Sequence, residues 1–516
     1  MSTTTIDPTI AMPPFPANWA MPPGPRLPPL LQVAQIARDP LGTAVRMHRR
    51  YGEPFTMRVP GFSPSLVFSS PELVKQVVTG KPDVFHAGLA NRPLKAVLGR
   101  WSLLTLDRGP HLQQRKLLLP PFHGERLRAY GELIRELAER EAASWPVGTP
   151  FRVAERMQAL TLEVILDVVF GITDESRKDD LRRLLPPLVD SSRHVVFWGS
   201  IANRNFGPFR LRETFETRRD AVDALLYAEI ADRRRVPAAE LEGRSDILSM
   251  LIEATHEDGT PMGDGELRDE LMTLVMAGHE TTATALTWAM DLLLRNPAVL
   301  GRMRANPDEE YVRATCQEIL RIRPVVPFVG RVVTEPVRIG DTEVPAGAGL
   351  IASIGLTHHR EEVFPEPAVF RPERFLGDSE VPSYGWLPFG GGVRRCIGAS
   401  FAQFELETIL RGVAARDPDF RWHLEMGLER TPFEVSPDEP VVAALASAAQ
   451  AVLGRGPTWR GEPFWTDCAI LASAGIPCVM FGGDGAGAHA ATEWADEASI
   501  VALTDILART AITFCR

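Results

Sequence analysis

The segment FGGGVRRCIG, residues 389–398, runs directly into ASFAQFELETILRGVAA, a stretch with the spacing of an amphipathic helix. Flexible glycines therefore precede Cys396, a lone cysteine at the point where a helix begins. The unpaired backbone N–H groups and the positive end of the helix dipole would stabilise a thiolate there. Gly392 and Gly398 carry no side chain, so a flat ligand could approach the backbone closely on either flank. Arg394 offers a cation to a carboxylate on such a ligand.

A glycine-rich turn around a small buried cysteine is the ordinary alternative, and it would be preferred for an isolated Gly-Cys-Gly pattern. This sequence carries the complete pattern F-G-x-G-x-R-x-C-x-G. In this it resembles the cytochrome P450 family, whose haem-binding loop has the same form. The resemblance implies haem b as the cofactor, Cys396 as the axial ligand of its iron, and Phe389 as a ring that shields the sulfur. A thiolate ligand pushes electron density onto the iron and favours O–O cleavage.

Residues 270–294, ELMTLVMAGHETTATALTWAMDLLL, are long and apolar enough to suggest a membrane span. The ionisable groups at their middle are most expensive in lipid, so we predict a long helix through a protein interior and no membrane span. Residues 277–282, AGHETT, match the family's A-G-x-[DE]-T motif for oxygen activation. A glycine weakens a helix and a hydroxyl can take over a backbone hydrogen bond, which opens a local groove.

Glu280 and Thr281 are the candidate catalytic pair within this motif. An acid and an alcohol beside the iron could relay protons to reduced oxygen. An ordinary polar patch on a helix is the alternative, but burying such a patch without purpose would be costly. We therefore favour the functional interpretation.

Glu318 and Arg321 in the segment EILR lie at i and i+3, which makes them neighbours on one helical face. Alone, such a pair is usually a solvated surface pair of little value. The P450 family joins it to an arginine in a downstream Pro-Glu-Arg-Phe segment, and here that segment supplies Arg374. The resemblance implies a structural role for the three residues, which would hold the fold around the haem.

His111 and Arg115 in GPHLQQRK are one helical turn apart and resemble the family's H-x-x-x-R contacts to the haem propionates. An ordinary surface pair is the alternative for these two residues. Arg331 follows the EILRIRP segment, where many relatives place another arginine that binds a propionate. The resemblance therefore adds all three to the cofactor-binding candidates, beside Phe389 and the cysteine loop.

The amino-acid composition excludes some kinds of function and cellular location. The chain has 516 residues, 45% hydrophobic and 24% charged, which is typical of a soluble globular protein longer than one ordinary domain. Its net charge of −10 argues against sequence-independent binding to nucleic acid. Five scattered cysteines do not form a disulfide framework and indicate a reducing, cytoplasmic compartment. The proline-rich lead has neither a basic region nor a long apolar run, so we predict no signal peptide or membrane anchor.

The periodicity predicts a mainly α protein with minor β structure; the resemblance implies the P450 fold, with haem between two helices. Strand-like pieces are FTMRV, SLVFSS and GRVVTEPVRIGDTEV. Helical stretches are expected at residues 44–51, 123–146, 157–171, 210–234 and 308–322. We divide the chain into a flexible proline-rich lead (1–20), a P450 domain (21–425) and a tail (426–516), with the boundary near 423–430.

The tail reads as a small α/β piece: helices at 440–453, 466–474 and 495–515, an apolar strand PCVMF, and a glycine-rich loop. It resembles the C-terminal end of zinc amidohydrolases of the acetylornithine deacetylase and succinyl-diaminopimelate desuccinylase type. That resemblance implies His489 as a remnant of a metal ligand set. One histidine cannot hold a catalytic metal pair, so we interpret the tail as a fragment without hydrolase activity, joined by gene fusion. Such a fragment would expose apolar surface at 479–481.

The leading functional prediction is a monooxygenase that inserts one atom of O2 into an apolar small molecule. No flavin or iron–sulfur module is visible, so electrons would come from NAD(P)H through separate proteins, with a ferredoxin-type donor and its reductase docking at the cysteine face near Arg394 and Arg395. The alternatives are a peroxide-driven peroxygenase or isomerase and a catalytically impaired fusion that still binds haem. The predicted pocket lining is apolar: residues 85–108, 190–210 with Phe197 and Trp198, Ala277 and 325–329.

Overall fold

Two compact units make up the chain, Met1–Phe420 and Arg421–Arg516. The computed structural model describes residues 13–16, 18–122, 125–198, 211–241, 243–305, 308–377, 381–415, 435–458, 468–473, 476–486 and 494–515. The predicted domain boundary and most of the predicted lead lie outside the described residues. The predicted domain limits therefore stay a prediction.

The first unit is mainly helical, as predicted. Its helices are α1 (Pro29–Arg38), α2 (Pro40–Tyr51), α3 (Pro71–Thr79), α4 (Ala87–Ala90), α5 (Lys95–Leu98), α6 (Arg108–Leu118), α7 (Glu125–Ala143), α8 (Val153–Ile165), α9 (Glu175–Trp198), α10 (Leu211–Arg233), α11 (Ala238–Leu241), α12 (Ile247–Glu253), α13 (Asp264–Arg295), α14 (Pro297–Ala305), α15 (Glu309–Ile322), α16 (Ile354–Thr357) and α17 (Ala399–Ala415).

One predicted helix, at 157–171, differs in its limits. Helix α8 begins at Val153, earlier than predicted, and its α-helical part ends at Ile165. Residues Leu166–Phe170 continue as a π-helical turn, which ends at Gly171 in the left-handed conformation. Apolar periodicity marks the buried face but not the half-polar first turn, so it misplaced the start.

A five-stranded sheet lies beside the helices. Its strands are β1 (Phe55–Met57), β2 (Ser65–Phe68), β3 (Phe85–His86), β4 (Val329–Val333) and β7 (Gly349–Ala352), in the order β1-β2-β7-β4-β3. Only the β2–β7 pair is parallel. Strands β5 (Val337–Ile339) and β6 (Thr342–Val344) form a separate hairpin. Strands β1, β2, β4, β5 and β6 coincide with the three predicted strand-like stretches, whereas β3 and β7 were not predicted. Strand β4 carries Arg331 opposite Leu350 of β7.

Helix α13 crosses the interior. At its start the backbone N–H of Gly263 donates to Glu266 Oε2 at 2.8 Å, which is the half of a capping box that a glycine N-cap can form. At 32 residues it is about 48 Å long. Helix α8 packs along it, and a Cβ at Gly278 would lie 2.6 Å from Ile165 Cδ1, so the glycine admits the neighbouring helix. Within the described residues, no helix is long and apolar enough to cross a membrane.

The second unit contains helices α18 (Pro440–Leu453), α19 (Cys468–Ser473) and α20 (Glu497–Phe514), with short paired strands β8 (Gly485–Ala486) and β9 (Trp494–Ala495). Helix α18 packs against α20 around Leu445, Ala449 and Ile506. The predicted PCVMF strand is wrong, because residues 477–481 have no regular secondary structure. The expected exposure of 479–481 is wrong in part: Val479 and Phe481 pack against the helix pair, and Met480 is 38% exposed.

Candidate functional site

The cysteine loop lies between α3 and α17. Its Cys396 N–H donates to Phe389 O at 2.9 Å, which closes the loop just before α17 begins. Gly392 has a φ of +64°, and a Cβ there would lie 2.2 Å from the carbonyl oxygen of Val78 at the end of α3. Only glycine fits both the left-handed backbone and this close approach. A Cβ at Gly398 would lie 4.0 Å from Phe122 Cε1, an ordinary contact, and the carbonyl of Gly398 accepts the first helical hydrogen bond, from Ala402.

The thiol of Cys396 does not have the low pKa that the start of a helix alone would give. The residue is accessible to solvent, yet the protein atoms packed around it desolvate the thiolate, and this raises the thiol pKa. The backbone N–H of Gly398 and the charges of Arg395 and Arg115 act in the opposite direction. A bound metal ion would outweigh this desolvation, because a coordinating thiol is deprotonated outright.

Phe389 is partly buried in the main core and meets Trp386 edge to face, with ring centroids 6.4 Å apart. The structure therefore places its ring at the base of the cysteine loop. Its predicted contact with the sulfur of Cys396 stays a prediction.

Four predicted residues from three distant segments form a basic cluster: His111 and Arg115 on α6, Arg331 on β4 and Arg394 in the cysteine loop. Burial first, and then the charges of Arg394, Arg115 and Arg331, lower the pKa of His111 to about 3, so the ring is neutral at physiological pH. Burial also lowers the pKa of both Arg331 and Arg394 to about 10. Buried cations of this kind need anionic partners. A ligand with two carboxylates, such as haem with its propionates, fits the cluster.

Arg394 faces inward. Its side chain is 12% exposed and pairs with Asp107, with Nη2 to Oδ1 at 2.6 Å. It also donates to Leu103 O from Nη1 at 3.2 Å. Burial and these contacts hold Arg394 inside, so this arginine does not itself face a docking partner. Arg395 is exposed, so it stays the predicted contact for a docking partner.

The middle of α13 carries the predicted catalytic pair. Ala277 is exposed, although Thr273 and Leu274 one turn earlier are buried, so an opening reaches the helix there. The hydroxyl of Thr281 donates to the carbonyl oxygen of Ala277, four residues back, at 2.5 Å, and α13 continues through this point as an α-helix. Glu280 accepts a hydrogen bond from Gln158 Nε2 of α8 at 3.1 Å. The acid and the alcohol are therefore adjacent in sequence but bonded to different partners.

Sequence reasoning missed Glu405, a fully buried carboxyl on α17. Its side chain is hydrogen-bonded to Thr282, the residue after Thr281. This hydrogen bond joins α17, the helix that follows Cys396, to the middle of α13. Burial raises the pKa of Glu405 to about 8, and the bond to Thr282 lowers it by less. The segment FAQFELETIL contains two acids, and the only signal in the sequence is that Glu405 shares a helical face with the apolar Phe401 and Ile409.

Replacement of Glu405 by glutamine should remove a pH dependence of stability. The folded carboxyl holds its proton up to about pH 8, whereas the unfolded one releases it near 4.5. The folded state thus binds the extra proton across that window, and the free energy of unfolding falls as the pH rises. The free energy of unfolding of the wild type should fall by about 5 kcal/mol across this window, and that of Glu405→Gln should not. Urea unfolding at several pH values measures this.

The matched control for this change is Glu213→Gln, which alters an exposed carboxylate on α10. It should keep the wild-type slope of stability against pH. A Glu405→Gln protein with that same slope would contradict the assignment of the raised pKa to Glu405.

The predicted structural triad forms in the interior. Arg321 binds Glu318 with two hydrogen bonds, Nε to Oε2 at 2.6 Å and Nη2 to Oε1 at 2.8 Å, and neither side chain is exposed. Arg374 Nε lies 3.4 Å from Glu318 Oε1. Arg321 also donates to His358 O, and Arg374 to Pro365 O. The three residues thus join α15 to the irregular segment 358–375.

The residues predicted to line a substrate pocket are described in part. Val326 and Phe328, just before β4, are 43% and 46% exposed. Residues 199–210 and the side chains of Phe197 and Trp198 lie outside the described part of the chain. The predicted pocket lining therefore stays a prediction.

Comparison with known proteins agrees with this geometry. The model of the family named Cytochrome P450 matches residues 21–423. The chain belongs to the cytochrome P450 family. Cytochrome P450 135B1 of Mycobacterium tuberculosis is 42% identical to this P450 over 409 residues, which cover 78% of this chain and 86% of that protein. Cytochrome P450 137 of the same species is 38% identical over 379 residues, covering 73% and 79%.

A solved structure shows the same fold. Retinoic acid-bound cyanobacterial CYP120A1 matches this P450 with a TM-score of 0.68 at 22% identity, over 78% of this chain and 94% of that one. The predicted fold class, mainly helical with small sheets, is confirmed. This P450 is a haem-dependent monooxygenase and its cofactor is haem b. Its cysteine loop and basic cluster fit that group.

Proposed function

We propose that this P450 inserts one oxygen atom of O2 into an apolar organic substrate, while the second atom leaves as water. Bound haem supplies the reductive activation of O2. Within the chain, the thiolate of Cys396 would hold the iron, and His111, Arg115, Arg331 and Arg394 would hold the propionates. The observation that supports this most directly is the basic cluster, because three arginines and a histidine from distant segments meet beside the cysteine loop.

Thr281 and Glu280 would move protons toward reduced oxygen. The opening at Ala277 gives a small ligand access to the helix where the Thr281 hydroxyl lies. That hydroxyl donates to Ala277 O and keeps lone pairs to accept a proton donor. Glu280 would supply the proton after leaving its contact with Gln158. Peroxide-driven chemistry does not need such a pair, so its presence favours O2 over peroxide as the oxidant.

Electrons would reach the haem from NAD(P)H through a reductase and a ferredoxin-type donor. Arg395 is the exposed cation of the cysteine loop and is our candidate contact for an acidic donor. The sparse, scattered cysteines support a cytoplasmic location. Reconstitution with a surrogate ferredoxin and its reductase tests the electron route. Turnover on hydrogen peroxide alone, with none through ferredoxin, would favour a peroxygenase.

Thr281→Ala should lower product formation by ~100-fold, the low end of what a positioned proton-transfer group contributes. NAD(P)H oxidation should continue, because electron delivery does not need the hydroxyl. Thr281→Ser keeps a hydroxyl and should recover most of the product. The ratio of product formed to NAD(P)H consumed is the measurement.

The control for Thr281→Ala is Thr287→Ala on the same helix. The hydroxyl of Thr287 also bonds the carbonyl four residues back, to Ala283 O at 2.7 Å. If loss of that backbone contact alone mattered, both variants would lose product to a similar extent. Equal losses would contradict a proton-relay role for Thr281.

We propose further that the tail is a remnant of a zinc amidohydrolase joined by gene fusion, without hydrolase activity. The described residues of the tail hold no group of three metal-ligating side chains, and the candidate ligand His489 lies outside them. Zinc-dependent hydrolysis of N-acyl amino acids by the full-length protein would overturn this proposal. A normal carbon monoxide difference spectrum of the full-length protein would exclude a catalytically impaired fusion with a damaged haem site.

A further inference from the structure

Asp107 is a buried carboxylate that no sequence motif singled out, and its side chain is only 3% exposed. Its Oδ1 accepts the backbone N–H of Gly88 at 2.8 Å, and its Oδ2 accepts that of Leu89 at 3.0 Å. The same Oδ1 pairs with Arg394 Nη2 at 2.6 Å. Oδ2 also lies 3.6 Å from His86 Nδ1. One carboxylate therefore joins residues 86–89 to the cysteine loop.

Arg394 is oriented almost wholly by the segment that contains Asp107. Its guanidinium donates to Leu103 O and Leu106 O as well as to Asp107, and all three acceptors lie within residues 103–107. Three such acceptors hold the planar guanidinium in one orientation and leave its remaining N–H groups for another anion.

Gly88 shows that this arrangement is tightly packed. A Cβ on Gly88 would lie 2.5 Å from Thr105 O and 2.7 Å from Asp107 Oδ2. Both distances are shorter than real side chains tolerate, so a side chain there would push the carboxylate or its backbone away. The position of Asp107 therefore depends on close packing as well as on hydrogen bonds.

We propose that Asp107 is a positioning residue that fixes Arg394 for a haem propionate and ties it to residues 86–89. This rests on the proposed role of Arg394 as a propionate-binding residue. Residues 86–89 belong to the stretch 85–108, which we expect to line the substrate pocket. A displacement of residues 86–89 by a substrate would reach Arg394 through the carboxylate of Asp107. Asp107 thus couples substrate binding to the haem environment without touching the reacting atoms.

Asp107→Asn tests the proposal in the haem-loaded full chain. Loss of a partner that orients a cofactor ligand typically costs 10–100-fold in affinity, so haem transfer to apomyoglobin should speed up by about 10-fold or more. The midpoint potential of the haem should shift upward, because a lost negative charge destabilises the ferric state relative to the ferrous state. Both readouts are independent of turnover.

Asp246→Asn is the matched control. Asp246 is also a buried carboxylate that pairs with an arginine, Arg233, and accepts a backbone N–H, from Ser249 at 2.9 Å, but these partners lie far along the chain from the cysteine loop. This variant should lose stability while keeping the wild-type potential and haem transfer rate. If Asp107→Asn and Asp246→Asn have the same haem transfer rate and the same midpoint potential, the proposal is overturned and Asp107 is a purely structural residue.

A double-mutant cycle shows whether Asp107 acts through Arg394. In an Arg394→Gln background, Asp107→Asn should change the haem transfer rate by less than about 2-fold, because the residue it positions is gone. An undiminished effect in that background would contradict the proposal. If Asp107→Asn does not fold, Gly88→Ala displaces the carboxylate without removing it and should shift the same two readouts in part.

The test separates this proposal from the proposed function. A wild-type protein without a haem–thiolate spectrum would overturn the proposed function, whatever Asp107 does. A wild-type protein with that spectrum, and an Asp107→Asn variant with unchanged haem transfer and potential, would overturn the positioning role alone.

Discussion

Cys396→Ser should abolish the strongly red-shifted Soret band in the carbon monoxide difference spectrum and all monooxygenase turnover. Serine keeps the loop's backbone bond from residue 396 to Phe389 O, and so its shape. It replaces the soft thiolate with a hydroxyl that stays protonated and binds iron poorly, so the electron density that favours O–O cleavage is lost. The dithionite-reduced, carbon monoxide-treated protein gives the spectrum directly, and product assays with a surrogate ferredoxin system give the turnover.

The control for this prediction is Cys316→Ala. Cys316 lies on α15, is fully buried, and its thiol pKa is raised by desolvation, so it is an inert core side chain. Its variant should keep the wild-type spectrum. Loss of the band in Cys316→Ala but not in Cys396→Ser would reverse the ligand assignment.

Glu318→Gln should lower the free energy of unfolding by about 3–5 kcal/mol, the usual cost of removing one partner of a buried ion pair. The reason is Arg321, whose side chain has no exposed surface and whose two short hydrogen bonds go to the lost carboxylate. Arg374 loses the same anion at 3.4 Å. Urea unfolding followed by circular dichroism measures the change, and the yield of haem-loaded protein should fall with it.

An exposed pair in the same region provides the comparison. Glu366 binds Arg371 at 2.5 Å on the surface, with side chains 62% and 42% exposed. Glu366→Gln should be indistinguishable from wild type, since exposed pairs are worth little in water. Equal losses in the two variants would show that burial of Arg321 does not set the cost.

Local chemistry made part of this site predictable. The cysteine loop, the EILR pair and the acid–alcohol pair are short segments whose residue types and spacing fit one chemistry, so their positions followed from the chain itself. The long apolar stretch at 270–294 likewise corresponds to the buried helix α13. The roles of Thr281, Glu280 and the propionate-binding residues stay predictions, although the structure brings the basic residues together.

The features that the sequence did not predict depend on contacts between residues far apart in the chain. Asp107 directly precedes α6 and belongs to no sequence motif, and its partners Gly88 and Arg394 are distant in sequence. Glu405 shares a helical face with apolar residues, and nothing local shows that Thr282 lies beside it. The inward orientation of Arg394 also depends on residues 103–107. Pairings of this kind depend on tertiary packing rather than on local sequence.

The basic cluster has a consequence for how the protein is made. Arg115, Arg331 and Arg394 repel one another and lower the pKa of His111, and Asp107 offsets only part of that charge. A newly synthesised chain therefore gains folding free energy when it captures its cofactor, as any ligand that binds only the folded state provides. Supply of haem during expression then sets how much of the protein survives proteolysis, as well as how much of it is active.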